Sequence, residues 1–208
     1  EQVNQHKSYF NTNTTRNINW RKEQLKQIIK LVTENEARFV DALNKDLGKP
    51  SVESWLTETS YLTNDARHML KKLNSWSKIR RVSTPIVVQP GRSYVKPEPQ
   101  GTVLIIGAWN YPLQLVLAPL IAVIAAGNCA VLKPSELAPT VSSLIAELIP
   151  KYLDTRAISV IEGGVEETTE LLDIPFDHIM YTGNGAVGRI VMTAAAKHLT
   201  PVTLELGG

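Results

Sequence analysis

An α/β fold is predicted by the second half of the sequence, on three observations. Five short apolar runs, at 102–107, 129–133, 158–161, 178–182 and 202–206, have the length of strands covered on both faces. Four helix-length patterns, at 113–126, 141–153, 166–172 and 187–198, alternate with them. No linker longer than a turn, no repeat of fixed period and no low-complexity tract interrupts the alternation. Strict β-α-β-α order requires crossover helices, and right-handed crossovers lay helices on both faces of a parallel sheet. The expected architecture is a Rossmann-like parallel five-stranded sheet with helices on both faces, preceded by an amino-terminal helical segment and a projecting β-hairpin.

The amino-terminal segment reads as helices. Leu25, Ile28, Ile29 and Val32 fall at helix spacing after Asn19, a candidate cap. A second pattern, Phe39, Val40, Leu43 and Leu47, follows Asn35 and stops at Gly48-Lys49-Pro50, a glycine-then-proline ending. A third places Trp55, Leu62, Ala66, Met69, Leu70, Leu73 and Trp76 on one face, with Glu58, Asp65, Lys71 and Lys72 off it. This stretch reads as scaffold. His6 and His68 have no carboxylate or cysteine at metal-ligand spacing, so both are expected to be ordinary surface or half-buried histidines, and no metal is expected. Ile86-Val87-Val88 and Ser93-Tyr94-Val95 read as two short strands about the Pro90-Gly91-Arg92 turn, with Pro97 and Pro99 blocking further pairing. Such a hairpin either pairs with a second subunit or folds back on its own domain.

Composition excludes some functions. Lys and Arg number 22 against 20 Asp and Glu, a net charge of +2 with no long run of like charge, so neither a nucleic acid nor a polybasic membrane contact is indicated. One cysteine forms no internal disulfide and no secretory signal opens the chain, which makes a cytoplasmic location the default expectation. The longest apolar stretch, 115–126, contains Pro119 and is too short to span a bilayer.

Chemistry is expected at the carboxyl ends of the strands, where α/β units bind ligands. The unit at 101–136 places Trp109, Asn110, Lys133 and Glu136 there. The G-x-G-x-x-G fingerprint is absent after the first strand. Gly183-Asn184-Gly185-Ala186-Val187-Gly188 joins a later strand to a helix; by itself it reads as a conformational turn. Lys133 and Glu136 flank Pro134 and suit a ribose diol, or equally form a solvated ion pair. Asn110 either donates to an oxyanion or braces the turn before Pro112. Glu205, a carboxylate in an apolar strand, is expected to be buried and to serve as a general base. Cys129 lies mid-strand without a basic neighbour and reads as a small buried hydrophobe.

Ala108-Trp109-Asn110-Tyr111-Pro112, Ala126-Gly127-Asn128, Leu132-Lys133-Pro134-Ser135-Glu136, Tyr181-Thr182-Gly183-Asn184 and Val202-Thr203-Leu204-Glu205-Leu206-Gly207-Gly208 together resemble the aldehyde dehydrogenase superfamily, most closely its class 3 or fatty aldehyde branch. The resemblance implies NAD(P)-dependent oxidation of aldehydes to carboxylic acids through a cysteine thiohemiacetal and thioester. It implies Asn110 as oxyanion donor, Glu205 as the base activating water, and Lys133 and Glu136 at the adenosine ribose. Gly183, Asn184 and Gly188 would form the pyrophosphate turn, with Trp109 and Leu206 flanking the nicotinamide. NAD is expected over NADP, because Glu136 opposes a 2′-phosphate. The implied division is helices at 1–82, an oligomerisation hairpin at 83–100 within a homodimer, and a cofactor domain at 101–208. The family's nucleophilic cysteine lies beyond the L-E-L-G-G motif, so the 208 residues alone are expected to be inactive, as the cofactor-binding part of the enzyme. A stand-alone nucleotide-binding or subunit-pairing module, and part of an acylating, CoA-dependent relative, stay open as alternatives.

Overall fold

A computed structural model describes residues 1–207. Its amino-terminal third holds α1 (Gln2–Asn11), α2 (Ile18–Glu34), α3 (Glu36–Leu47) and a short α4 (Ser51–Ser54), which runs through one wide π turn (Trp55–Thr59) into α5 (Ser60–Trp76). Asn17 rather than Asn19 caps α2, its side-chain oxygen accepting the Asn19 N–H at 2.8 Å. Gly48 ends α3 in the left-handed region at φ 63°, as the glycine-then-proline signal predicts.

Two expectations about this segment are corrected. Glu58 is not on the outer face but fully buried, paired with Lys49 at 2.6 Å. The π turn explains the error: its i→i+5 bond, Ser60 N–H to the Trp55 carbonyl, inserts a residue and rotates Glu58 inward. The same register change leaves Trp55 half exposed, and Trp76 is also half exposed, while Leu62, Ala66 and Leu73 hold the buried face. His6 is buried, contrary to expectation. Its ring nitrogens meet the Arg156 carbonyl and the Ser159 hydroxyl, each at 2.8 Å, and burial keeps the imidazole's proton affinity low.

The projecting hairpin is present with a different first strand. β1 (Arg80–Val82) pairs antiparallel with β2 (Ser93–Val95), whereas Ile86–Val88 forms a 3₁₀ turn at the tip. Pro85 and Pro90 lack N–H groups for a ladder, and local bonds take the remaining amides: Val88 to Pro85, Gln89 to Ile86 and Gly91 to Val88. Ile86 and Val87 are almost fully exposed.

The sheet follows: β3 (Thr102–Ile106), α6 (Gln114–Ala126), β4 (Cys129–Lys133), α7 (Pro139–Tyr152), β5 (Ile158–Val160), α8 (Val165–Leu172), β6 (His178–Gly183), α9 (Gly185–Ala196) and β7 (Val202–Leu206). All five strands are parallel, in the order β5-β4-β3-β6-β7. β3 and β4 are buried along their whole length, which is why they read as unbroken apolar runs rather than alternating ones. Alternate residues still serve opposite faces. Val103 and Ile105 join Leu117, Ile121 and Ile124 of α6, backed by Leu25 and Ile28 of α2. Leu104 and Ile106 join Leu171 of α8, Val191 of α9 and Val3 of α1. Each such side chain contributes about 1.5–3 kcal/mol on burial, so two large clusters clamp the sheet between helical layers.

Gly101 shows what the start of β3 demands. At φ 146°, a Cβ here would lie 2.1 Å from Asp177 Oδ2, and that carboxylate accepts the Thr102 N–H at 2.7 Å, tying β3 to the start of β6. No helix among the described residues is long and apolar enough to cross a membrane.

Candidate functional site

The chain adds β4 and β5 on one side of β3, then returns to add β6 and β7 on the other. The reversal opens a crevice beyond the carboxyl ends of β3 and β6, the position where open α/β sheets bind ligands. A cleft of 1170 Å³ lies there. Trp109, Asn110, Lys133, Glu136, Gly183, Asn184, Glu205 and Leu206 all line it, although they come from four separate strand ends. Gly188 does not. It sits in the first turn of α9 against β7, where an added Cβ would lie 3.0 Å from Leu206 Cδ2, so it allows close helix-to-strand packing behind the cleft wall.

At the end of β4, Lys133 is only 2% exposed. Its Nζ donates to the Pro134 carbonyl at 2.8 Å and stands 3.6 Å from Glu136 Oε2. Burial pulls its pKa down while Glu136 pulls it up. A solvated ion pair is thus half wrong: the Glu136 side chain is 48% exposed, but the ammonium is enclosed, with one short hydrogen bond among the described residues for three donors.

Asn184 caps α9, its side-chain oxygen accepting the Val187 N–H at 2.9 Å. Gly164, Val165 and Thr168 at the start of α8 line the cleft as well. The amino-terminal ends of both helices therefore border it, and such ends favour anions. No ligand role is predicted from the sequence for the start of α8, and the structure alone brings it to the cleft.

Glu205 lies in β7 opposite Thr182. The expected burial is corrected: β7 is an edge strand paired only with β6, and Glu205 is exposed among the described residues. Cys129 meets its expectation. It is fully buried against the His6 carbonyl, and burial, reinforced by the Asp154 and Asp177 carboxylates, pushes its thiol up to about 12. Beyond Asn110 the cleft continues between Tyr61, Asp65 and Met69 of α5 and Leu115, Ala118 and Ala122 of α6. That extension was also missed, because those residues read as ordinary helix faces. Burial raises the Asp65 carboxyl pKa against the opposing pull of His68.

The family model described as "Aldehyde dehydrogenase family" matches residues 2–208. The chain is 48% identical over 202 residues to 4,4'-diaponeurosporen-aldehyde dehydrogenase of Staphylococcus aureus (strain NCTC 8325 / PS 47), covering 97% of this chain and 44% of that protein. It is 46% identical over 208 residues to aldehyde dehydrogenase family 3 member B3 of Mus musculus, covering 100% of this chain and 43% of that one. A solved structure described as the substrate bound state of Staphylococcus aureus AldH matches with a TM-score of 0.97 at 47% identity, covering 100% of this chain and 45% of that chain. The chain thus spans less than half the length of each.

Proposed function

Because the chain belongs to the aldehyde dehydrogenase family, we propose that it supplies the NAD(P)-binding part of an enzyme that oxidises aldehydes to carboxylic acids. The observation that carries this reading is the convergence of an enclosed lysine, an exposed carboxylate, two helix amino termini, an exposed asparagine and a second carboxylate on one cleft.

The cleft residues fit a dinucleotide. Lys133 has donors to spare, and Glu136 offers an acceptor for a ribose diol. The start of α9, at Gly183 and Asn184, favours a pyrophosphate, with Gly188 letting that helix sit close to β7. Trp109 and Leu206 are apolar walls for the nicotinamide end. When bound, the nicotinamide supplies a hydride acceptor. We assign NAD as the favoured cofactor, since the Glu136 charge opposes a 2′-phosphate.

Asn110 donates its side-chain amide to the aldehyde oxygen as that oxygen becomes negative. Glu205, exposed beside the cleft, takes a proton from the water that hydrolyses the thioester. The thiolate implied by the family is not Cys129, which is sealed in β4 and held protonated. We assign the nucleophile to residues outside these 208, so this stretch alone turns over no aldehyde. Residues 83–100 project Ile86 and Val87 into solvent, and we assign them to the contact between two subunits of a homodimer.

In the full-length enzyme carrying this segment, Asn110→Ala should weaken the pre-steady-state burst of NADH, by about 10²–10³ if the amide is the oxyanion donor. Glu205→Gln should keep the burst and suppress steady turnover. Equal loss of both phases in both variants defeats the assignment.

A further inference from the structure

We propose that Lys49 and Glu58 are positioning residues that hold Asn110 in place from behind the cleft; the proposal rests on Asn110 being the oxyanion donor. The loop between β3 and α6 carries Asn110 and is bound by one buried ion pair. Glu58 is fully buried and Lys49 is 6% exposed. Glu58 Oε1 meets Lys49 Nζ at 2.6 Å, while Oε2 accepts the Leu113 N–H at 2.9 Å and the Gln114 N–H at 3.1 Å. The carboxylate thereby caps the first turn of α6, whose amides have no partner within the helix. Lys49 Nζ in turn donates to the Asn110 carbonyl at 3.1 Å and lies 4.0 Å from the centre of the Tyr111 ring.

The Asn110 carbonyl and the first amides of α6 are therefore tied to one salt bridge. The side-chain amide itself makes no hydrogen bond among the described residues, so its direction follows from the peptide that Lys49 grips. A buried ion pair is an expensive way to gain stability, since well-packed apolar residues of like volume do as well or better. Here its arms match the loop's orphan groups, and the π turn aims Glu58 at them. Oxyanion donors need this support, because a misplacement of about 1 Å costs on the order of 10² in rate.

The test is a double-mutant cycle in the full-length enzyme. Lys49→Met/Glu58→Gln removes both charges without stranding either, and is measured with and without Asn110→Ala, reading the NADH burst rate at saturating NAD and the Kd for NAD. We expect a loss of roughly 10- to 100-fold in burst rate with Kd unchanged, and no further loss once Asn110 is alanine. Additive losses, or a burst rate that falls only as far as NAD affinity does, would overturn the positioning role. If the pair variant does not fold, Glu58→Gln alone is run through the same cycle: the isosteric amide turns an N–H2 towards a group that needs an acceptor, and the same non-additivity is required of it. An undiminished burst in Asn110→Ala overturns the oxyanion reading itself, and is visible before the pair is altered.

Discussion

Replacing Glu136 by glutamine keeps an acceptor for a ribose hydroxyl and removes one negative charge, so it should narrow the preference for NAD over NADP. The structure sets the size of the effect. The Glu136 side chain is 48% exposed, which puts its field nearer the solvent limit than the protein-interior one. Two unit charges about 4 Å apart repel by roughly 1 kcal/mol in bulk water and about 4 kcal/mol at an effective dielectric constant of 20. A phosphate group carries a charge of about −1.5 to −2, so the half-exposed carboxylate should disfavour a neighbouring 2′-phosphate by roughly 2 kcal/mol. That corresponds to a factor of roughly 30. Lys133 attracts the phosphate in both enzymes, and its contribution largely cancels in the ratio. The assay is kcat/KM for each cofactor at saturating aldehyde, in wild type and Glu136→Gln. The ratio should fall by about 10- to 30-fold, and by less at high ionic strength, where exposed charges are screened. An unchanged ratio would remove Glu136 from the ribose site.

Two further outcomes follow from groups away from the cleft. Cys129→Ser in the full-length enzyme should leave burst and turnover intact, and the folded protein should resist alkylation at this thiol, which is buried and raised to about 12; rapid labelling of Cys129 in the native state contradicts the packing described. Burial opposes ionisation of Asp154, but hydrogen bonds from Arg156, Trp20 and Tyr9 outweigh it and hold the carboxyl at about 2, below its ordinary 3.8. A depressed folded pKa means stability that is present above about pH 4 and lost as pH falls towards about 2. Discounted for the exposed Arg156 partner, Asp154→Asn should cost about 1–2 kcal/mol at neutral pH and flatten the acid limb of a Tm-against-pH curve. An acid limb identical to wild type would show that the network does not stabilise the fold.

The sheet was legible because burial on two faces writes itself as unbroken apolar runs: each of the five strands lies within one residue of its expected bounds. Most of the site was legible for a related reason. Strand ends are where the polar residues resume, and Asn110, Lys133, Glu136 and Gly183 all stand at such ends. What escaped was set by distant partners or by irregular backbone. Glu58 follows a helical period only if the π turn is ignored, and nothing local announces that turn. His6 is buried by partners 150 and 153 residues away. Ile86-Val87-Val88 has the composition of a strand, but its prolines deny it a ladder, and β1 was hidden by the charge of Arg80 and Arg81. The apolar sequence neighbours of Glu205 suggest burial, whereas among the described residues β7 is the last strand of the sheet and Glu205 is exposed.

The placement of β3 in the middle of the sheet also gives the site a history. A chain emerging amino terminus first makes the central strand before any of its neighbours, then builds outward in one direction before starting in the other. One wall, with Asn110, Lys133 and Glu136, can close as soon as β4 has docked. The opposite wall waits for β6, whose approach is clinched by a contact that spans 75 residues, from Thr102 to Asp177. At translation rates of about 5–20 residues per second, the free edge of β3 stays unpaired for several seconds. During that interval it is an apolar template open to mispairing, and the order of synthesis leaves the slot above Gly101 waiting for the one carboxylate that later fills it.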